Sequence, residues 1–258
     1  QKAGKTFSGV EQLIIDGVSA TMTIAQNNII SSATGTNTVT LSDAGTVTGH
    51  ANVETYSLAN GGANVFTLGN ATQSVFGVNG NNVDTVHTGS FTSLGTSTID
   101  LGGSSSDTLV IDTTGTDITK VTVTAVENLS LTSGVNATMT LAQHNAFTAI
   151  TGGGTNTIIL STAGTATGSA NIASYTLSAT GGNTFTLGSG SQNVTVATGA
   201  SDIVNTGSFT TISGAIDLGT GNTDQLVITT NNTNISTATL TDVELARAFC
   251  AALIAFAR

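Results

Sequence analysis

The residues best suited to chemistry are Asn and Asp side chains that open short apolar strands, in an order that occurs twice. The two sets are Asn37, Asn64, Asp84 and Asp107, then Asn156, Asn183, Asp202 and Asp224. Stacked amides can donate hydrogen bonds to one another, whereas stacked carboxylates repel unless a proton or a cation lies between them. The Asp pairs of each set, Asp84 with Asp107 and Asp202 with Asp224, therefore predict calcium sites and no other cofactor.

A simpler interpretation of the same aspartates needs no ion. Each Asp can cap its own turn by accepting backbone N–H groups, so that the two carboxylates of a pair never meet. The sequence alone leaves both arrangements open.

Paired carboxylates are also what glycoside hydrolysis needs, and Asp100 with Asp107 or Asp217 with Asp224 could supply them. Enzymes that act on acidic sugars additionally need cationic groups, and Lys120 is the only Lys or Arg between residues 6 and 246. The three histidines lack metal-ligand spacing, and His87 is expected to be a solvated surface residue. We therefore expect no enzymatic activity.

Composition excludes several partners. The net charge is −10, only 8% of the residues are charged, and neither Pro nor Trp occurs. Binding to nucleic acid or to anionic lipid needs Lys and Arg, so neither is expected as a partner. No apolar run is long enough to span a membrane as a helix. The single cysteine, Cys250, excludes an intrachain disulfide and is expected to be a small buried residue.

The chain is a tandem duplication. Val10-Glu11-Gln12-Leu13 returns about 117 residues later as Val126-Glu127-Asn128-Leu129, and Val243-Glu244 begins a third copy. Repeat architectures of this kind fold by stacking neighbours. The predicted organisation is a first repeat unit over residues 7–125, a second over 126–242, and a truncated third repeat with a helical or non-native tail over 243–258.

A shorter period lies inside each long unit. Ten short strands align so that their central residue is apolar and its neighbours are mostly Thr, which is typical of strands with one buried face. The central residues are Met22, Val39, Phe66, Val86, Leu109, Met139, Ile158, Phe185, Val204 and Leu226. Their spacing predicts an all-β, right-handed parallel β-solenoid of about ten coils. A β-sandwich or closed barrel is the alternative.

Three segments resemble a known family. The segment from Gly102 to Val110 looks like one degenerate RTX nonapeptide, and Gly219 to Val227 matches it more weakly. Val126-Glu127-Asn128-Leu129-Ser130-Leu131 resembles repeats of large bacterial RTX-type adhesins and S-layer-like surface proteins. The resemblance implies calcium between coils, secretion, and a structural or adhesive role at the bacterial cell surface. The implied partners are further copies, neighbouring surface proteins or glycans.

Threonine pairs raise a further binding hypothesis. Thr-x-Thr occurs at Thr21/Thr23, Thr38/Thr40, Thr138/Thr140 and Thr184/Thr186. Such pairs line flat ice-binding β-solenoids, so ice joins calcium and glycans as an alternative ligand. The array is interrupted at Val65, His87, Ile203 and Gln225, and Thr is also simply a favoured strand residue.

The tail departs from the repeat pattern. Residues 245–258 are rich in Ala, lack Thr and Gly, and carry both arginines of the chain. Thr241 and Glu244 have capping-box spacing, and an apolar helical face follows. The sequence predicts a short C-terminal helix that caps the solenoid, with non-native sequence as the alternative.

Overall fold

The computed structural model describes residues 10–78, 80, 82–196, 200–221 and 223–248, and nearly all of its regular structure is β. Its first elements are β1 (Leu13–Asp16), β2 (Ser19–Met22), α1 (Ile24–Asn27), β3 (Ile30–Thr34), β4 (Thr38–Leu41), β5 (Thr46–Thr48), β6 (Thr55–Ser57), β7 (Val65–Thr67), β8 (Ser74–Phe76), β9 (Thr85–His87), β10 (Ser97–Asp100), β11 (Thr108–Ile111), β12 (Thr116–Asp117), β13 (Val121–Thr124) and β14 (Asn128–Leu131). They are followed by β15 (Asn136–Met139), α2 (Leu141–Ala146), β16 (Ala149–Thr151), β17 (Thr157–Leu160), β18 (Thr165–Thr167), β19 (Ser174–Leu177), β20 (Thr184–Thr186), β21 (Asn193–Val196), β22 (Ile203–Asn205), β23 (Ala215–Asp217), β24 (Gln225–Ile228), β25 (Thr239–Thr241) and β26 (Leu245–Ala248).

The chain divides into two compact units. The first comprises Gln1–Ser130 with Phe147–Ala149, and the second comprises Leu131–Ala146 with Ile150–Arg258. None of the described helices is long and apolar enough to cross a membrane.

Stacked parallel sheets build the first unit. One sheet has the order β13-β10-β8-β6-β4-β2, and a second runs β14-β11-β9-β7-β5. From β4 to β11 the strands alternate between these two sheets, and the pairs from β2 to β13 and from β5 to β11 are parallel. A chain that returns to the same sheet once per coil is a parallel β-solenoid, as the sequence predicts.

The second unit repeats this design. Its sheets run β15-β17-β19-β21-β23-β25 and β18-β20-β22-β24-β26, again with parallel pairs throughout. The predicted β-solenoid is therefore confirmed within each unit, and the sandwich and barrel alternatives are wrong.

The predicted single apolar column is wrong, because it merges two columns. Val39 lies in the sheet of β4 and stacks on Tyr56, whereas Phe66 lies in the sheet of β7 and stacks on Val86. Met22 lies opposite Leu41, one inward position away from Val39. Period-two alternation identifies the inward residues but does not reveal to which face of the coil each strand belongs. All the residues named here are buried.

The predicted C-terminal helix is wrong over its described part. Leu245–Ala248 is strand β26, which pairs in parallel with β24. The open edge of β24 supplies unpaired backbone groups, and satisfying them outweighs the helix propensity of two alanines. Residues 249–258, including Cys250, lie outside the described residues.

Two of the Thr-x-Thr pairs serve a different purpose from the one predicted. Thr23 caps α1 in a capping box with Gln26, and Thr140 makes the same contacts with Gln143 before α2. The second Thr of each pair therefore begins a helix and does not belong to an outward column.

Candidate functional site

The Asn and Asp residues predicted as one series lie in two separate stacks. Asn37 precedes β4, where its Oδ1 accepts the Val18 amide at 3.1 Å and its own amide donates to Glu54 at 2.7 Å. Asn64, Asp84 and Asp107 precede strands of the other sheet. The predicted series is therefore wrong in joining Asn37 to Asn64, because each coil has two corners that open a strand.

A ladder of side chains runs from coil to coil inside the first unit. The Asn64 amide and Nδ2 donate to Oδ1 of Asp84 at 2.9 and 2.8 Å. The Asp84 amide donates to Oδ1 of Asp107 at 2.7 Å, and the Asp107 amide donates to Oε2 of Glu127 at 3.0 Å. We call Asn64, Asp84, Asp107 and Glu127 the carboxylate ladder of this unit.

The second unit contains the same ladder. The Asn183 amide and Nδ2 both donate to Oδ1 of Asp202 at 2.7 Å. The Asp202 amide donates to Asp224, and the Asp224 amide donates to Glu244, each at 2.7 Å. Asn183, Asp202, Asp224 and Glu244 form its carboxylate ladder. Asn156, predicted as part of this series, opens β17 in the other sheet, and its Nδ2 donates to Thr132 and Val135 carbonyls.

The ladder matches neither predicted arrangement of the aspartates. Each Asp caps a backbone N–H of the preceding coil and not of its own turn, so in each pair the carboxylate of the later Asp binds the backbone amide of the earlier one. Backbone groups that the sheet leaves unpaired at the corner are satisfied in this way. Glu127 and Glu244, which end the ladders, were not predicted as site residues. Their signal is the Val-Glu phrase shared by Val126-Glu127 and Val243-Glu244.

Burial sets the electrostatics of the ladders. Asp107 and Asp224 are 0% exposed, and one oxygen of each, Oδ2, is buried without a hydrogen-bond partner. This burial raises the pKa of both carboxyls above their ordinary value, and the amides of Asp84 and Asp202 offset part of the rise. The negative neighbours in each ladder raise the pKa further. The Ser104 side chain lowers the pKa of Asp107, and the Gly221 amide lowers the pKa of Asp224. Neither group reaches hydrogen-bond geometry at Oδ2.

A raised carboxyl pKa has a defined effect on stability. The unfolded chain releases its proton near pH 3.8, while the folded chain holds its proton to a higher pH. The stabilisation from Asp107 and Asp224 is therefore full below that value and is lost as the pH rises through the folded pKa.

The ladders do not present a ready calcium site. Calcium is bound by about six to eight oxygen ligands. Oδ1 of each of the four predicted ligands, Asp84, Asp107, Asp202 and Asp224, already accepts a backbone N–H. Across the described residues, no group of three or more His, Cys, Asp or Glu side chains is placed to hold a metal ion.

Each carboxylate pair considered for glycoside hydrolysis, Asp100 with Asp107 and Asp217 with Asp224, has one partly exposed and one buried member. Asp100 and Asp217 lie at half-buried positions, where each accepts an amide two residues on, from Gly102 and Gly219. Asp107 and Asp224 are fully buried and belong to the ladders. A polymeric substrate cannot reach the buried member of either pair without opening a coil.

A second buried network was missed by the sequence analysis. The fully buried Gln73 accepts the Gly69 amide and donates to the carbonyls of His50 and Val53. Gln192 makes the equivalent contacts with Gly188, Ser169 and Ile172. The coils approach so closely at this corner that a Cβ on Gly188 would overlap the carbonyl of Gly168. The only signal in the sequence is that the Gln recurs in both units.

His87 lies at an outward, partly exposed position, as predicted, but it has a partner that the sequence did not indicate. It is half-buried, and its Nδ1 lies 2.8 Å from Oδ1 of Asp112. The other Asp112 oxygen accepts the Gly89 amide at 2.8 Å, which anchors the pair to the next turn. The alternation of the strand predicts the outward position of His87 in β9. It does not predict Asp112 as the partner, because Asp112 belongs to the following coil.

The first unit carries an unbroken outward column of hydroxyls. Successive strands of the β2-to-β13 sheet place a Ser or Thr at the same register position, partly or fully exposed. These residues, which we call the hydroxyl column, are Ser19, Thr38, Thr55, Ser74, Thr98 and Thr122. The Thr98 amide also donates to the Ser74 hydroxyl at 3.1 Å. The interruptions predicted at Val65 and His87 lie in the other sheet.

Fold and ladders together define a duplicated parallel β-solenoid with buried polar side chains joining its coils. No protein-family model, curated protein or solved structure matches the chain.

Proposed function

We propose that this chain is a non-catalytic structural or adhesive module of an extracellular surface protein. The observation that carries the proposal is the use of the carboxylates. The four aspartates with the best spacing for chemistry are buried, and each holds a backbone amide of the neighbouring coil. Side chains that hold neighbouring coils together favour a structural role over a catalytic one.

The outer surface supports the same role. The hydroxyl column is uncharged, and the body of the chain carries little positive charge. A long polar, weakly acidic face suits contact with further copies, with neighbouring surface proteins or with glycans. The extracellular location rests on the resemblance to bacterial surface repeats.

Mechanical unfolding tests the proposal. The chain is held between two marker domains of known strength and pulled in an atomic force microscope. Because forced unfolding follows the barrier to opening, a stack joined by interior hydrogen bonds is expected to resist until whole groups of coils give way. Extension at near-zero force, as for a flexible linker, would overturn the proposal.

Calcium binding is the second candidate function, and a specific observation favours it. Oδ2 of Asp107, Asp202 and Asp224 is buried without a hydrogen-bond partner, and a cation would satisfy such an oxygen.

A calcium titration followed by thermal melting tests this candidate. Binding to the folded chain predicts a melting temperature that rises with calcium concentration. The rise must disappear in Asp107→Asn and Asp224→Asn, while Asp43→Asn serves as an exposed control. An unchanged melting temperature in the parent chain would rule calcium out and leave the structural proposal standing.

A further inference from the structure

One buried corner differs chemically between the two units. In the first unit, α1 ends on Asn27, which is buried, and in the second the equivalent residue of α2 is His144, also buried at 4% exposure. Both residues face a buried tyrosine, Tyr56 in the first unit and Tyr175 in the second.

In the first unit, the tyrosine hydroxyl joins the helix to the turn that precedes β6. The Tyr56 hydroxyl donates to Oδ1 of Asn27 at 2.8 Å and accepts the amide of His50 at 2.8 Å. Gln73 holds the same turn through the His50 carbonyl. An amide oxygen is an acceptor at every pH of interest, so this contact does not titrate.

In the second unit, the acceptor is an imidazole nitrogen. The Tyr175 hydroxyl accepts the Ser169 amide at 2.9 Å and lies 3.2 Å from Nε2 of His144. Nδ1 of His144 lies 3.0 Å from the carbonyl oxygen of the Asn145 side chain. That oxygen only accepts, so Nδ1 carries the hydrogen and Nε2 accepts the tyrosine hydroxyl. The His144 and Tyr175 rings meet edge to face.

We propose that His144 gives the second unit a response to mild acid at this corner that the Asn27–Tyr56 contact of the first unit lacks. Protonation of Nε2 turns the acceptor of the Tyr175 hydroxyl into a donor. Two donors, the Ser169 amide and Nε2–H, then face one oxygen, and the hydroxyl hydrogen loses its acceptor. The corner that Tyr175 holds is weakened as a result.

No charged group nearby compensates the imidazolium. The contacts at this corner involve α2, β18, β19 and Ser169, and α2, β18, β19 and segment 168–173 contain no Asp, Glu, Lys or Arg. Within these described elements, the titratable groups are His144 and Tyr175. Burial lowers the pKa of His144 and raises that of Tyr175 to about 12, so Tyr175 stays protonated.

The direction of the pH effect follows from linkage. As the pH falls below the ordinary value of 6.5, the unfolded chain binds a proton at His144 before the folded chain does. Stability is therefore full above that value and falls with decreasing pH until the folded residue titrates. In this window the opening constant of the second unit rises by up to about tenfold per pH unit.

Amide hydrogen exchange of the full-length chain tests the proposal with an internal control. Exchange is measured by mass spectrometry at about pH 7.5 and about pH 5.5, on either side of the ordinary histidine pKa, and corrected for intrinsic rates. Peptides from α2 to β19 are expected to lose protection at the lower pH by up to about tenfold per pH unit in that window. Peptides from α1 to β6, which contain His50 but no buried equivalent of His144, are expected to show no comparable loss, because the acceptor of the Tyr56 hydroxyl there is Asn27. The aspartate ladders occur in both units, so their contribution cancels in the comparison.

Two variants that exchange the residues at the equivalent positions 27 and 144 complete the test. His144→Asn installs the acceptor of the first unit and should abolish the acid response of the second. Asn27→His should transfer the response to the first unit, and it keeps the test decisive if His144→Asn folds poorly. Equal loss of protection in both units of the parent chain, or an acid response that persists in His144→Asn, would overturn the proposal.

Discussion

Replacing Asp202 with alanine is expected to destabilise the second unit by about 3–5 kcal/mol, because it leaves buried donors without an acceptor. The Asn183 amide and Nδ2 both donate to Oδ1 of Asp202 at 2.7 Å, and both residues are buried. Urea unfolding followed by circular dichroism measures the change.

The control for this prediction is a carboxylate outside the ladder. Asp217→Ala removes a half-buried side chain that accepts one amide, from Gly219 at 3.2 Å. It is expected to cost below about 1 kcal/mol. Asp84→Ala should resemble Asp202→Ala, because Asp84 has the same contacts in the first unit. Similar losses for Asp202→Ala and Asp217→Ala would contradict a structural role for the ladder.

Truncation of Phe185 to alanine is expected to destabilise the second unit by about 3–5 kcal/mol. Its ring is buried, stacks in register between Ala166 and Val204, and lies 4.8 Å from the ring of Tyr175. Its loss leaves a cavity and removes the ring contact that positions Tyr175. Thermal or urea unfolding of the variant provides the measurement.

The neighbouring outward residue supplies the comparison for Phe185. Thr186→Ala changes a half-buried hydroxyl on the same strand and should shift stability by less than about 0.5 kcal/mol. Phe66→Ala should reproduce the Phe185 effect in the first unit, where Phe66 stacks between Val47 and Val86. A cost for Phe185→Ala below that of Thr186→Ala would contradict the assignment of Phe185 to the core.

The inward residues could be predicted because alternation is a local property of a strand. Phe66, Val86 and Leu109 do stack in register, as the spacing suggested. Sheet membership could not be predicted, since it depends on how many residues each corner takes. The same uncertainty placed Asn37 in the wrong stack and hid Glu127, whose partner is 20 residues away.

The two helices and the buried glutamine network could not be predicted from the sequence, for a different reason. α1 has only four residues, too few for a periodic signal, and its capping residues Thr23 and Gln26 resemble ordinary strand residues in this composition. Gln73 and Gln192 lie at corners where polar residues are common. Their burial arises from the close approach of two coils, which only the stacked backbone reveals.

Hydrogen exchange at the ladder amides tests the central claim most directly. The relevant N–H groups are those of Asn64, Asp84, Asp107, Asn183, Asp202 and Asp224. If the carboxylates serve to join coils, these amides exchange as slowly as the core strands β9 and β22 in the presence of a calcium chelator. Rapid exchange with the chelator, and protection only after calcium is added, would contradict the claim.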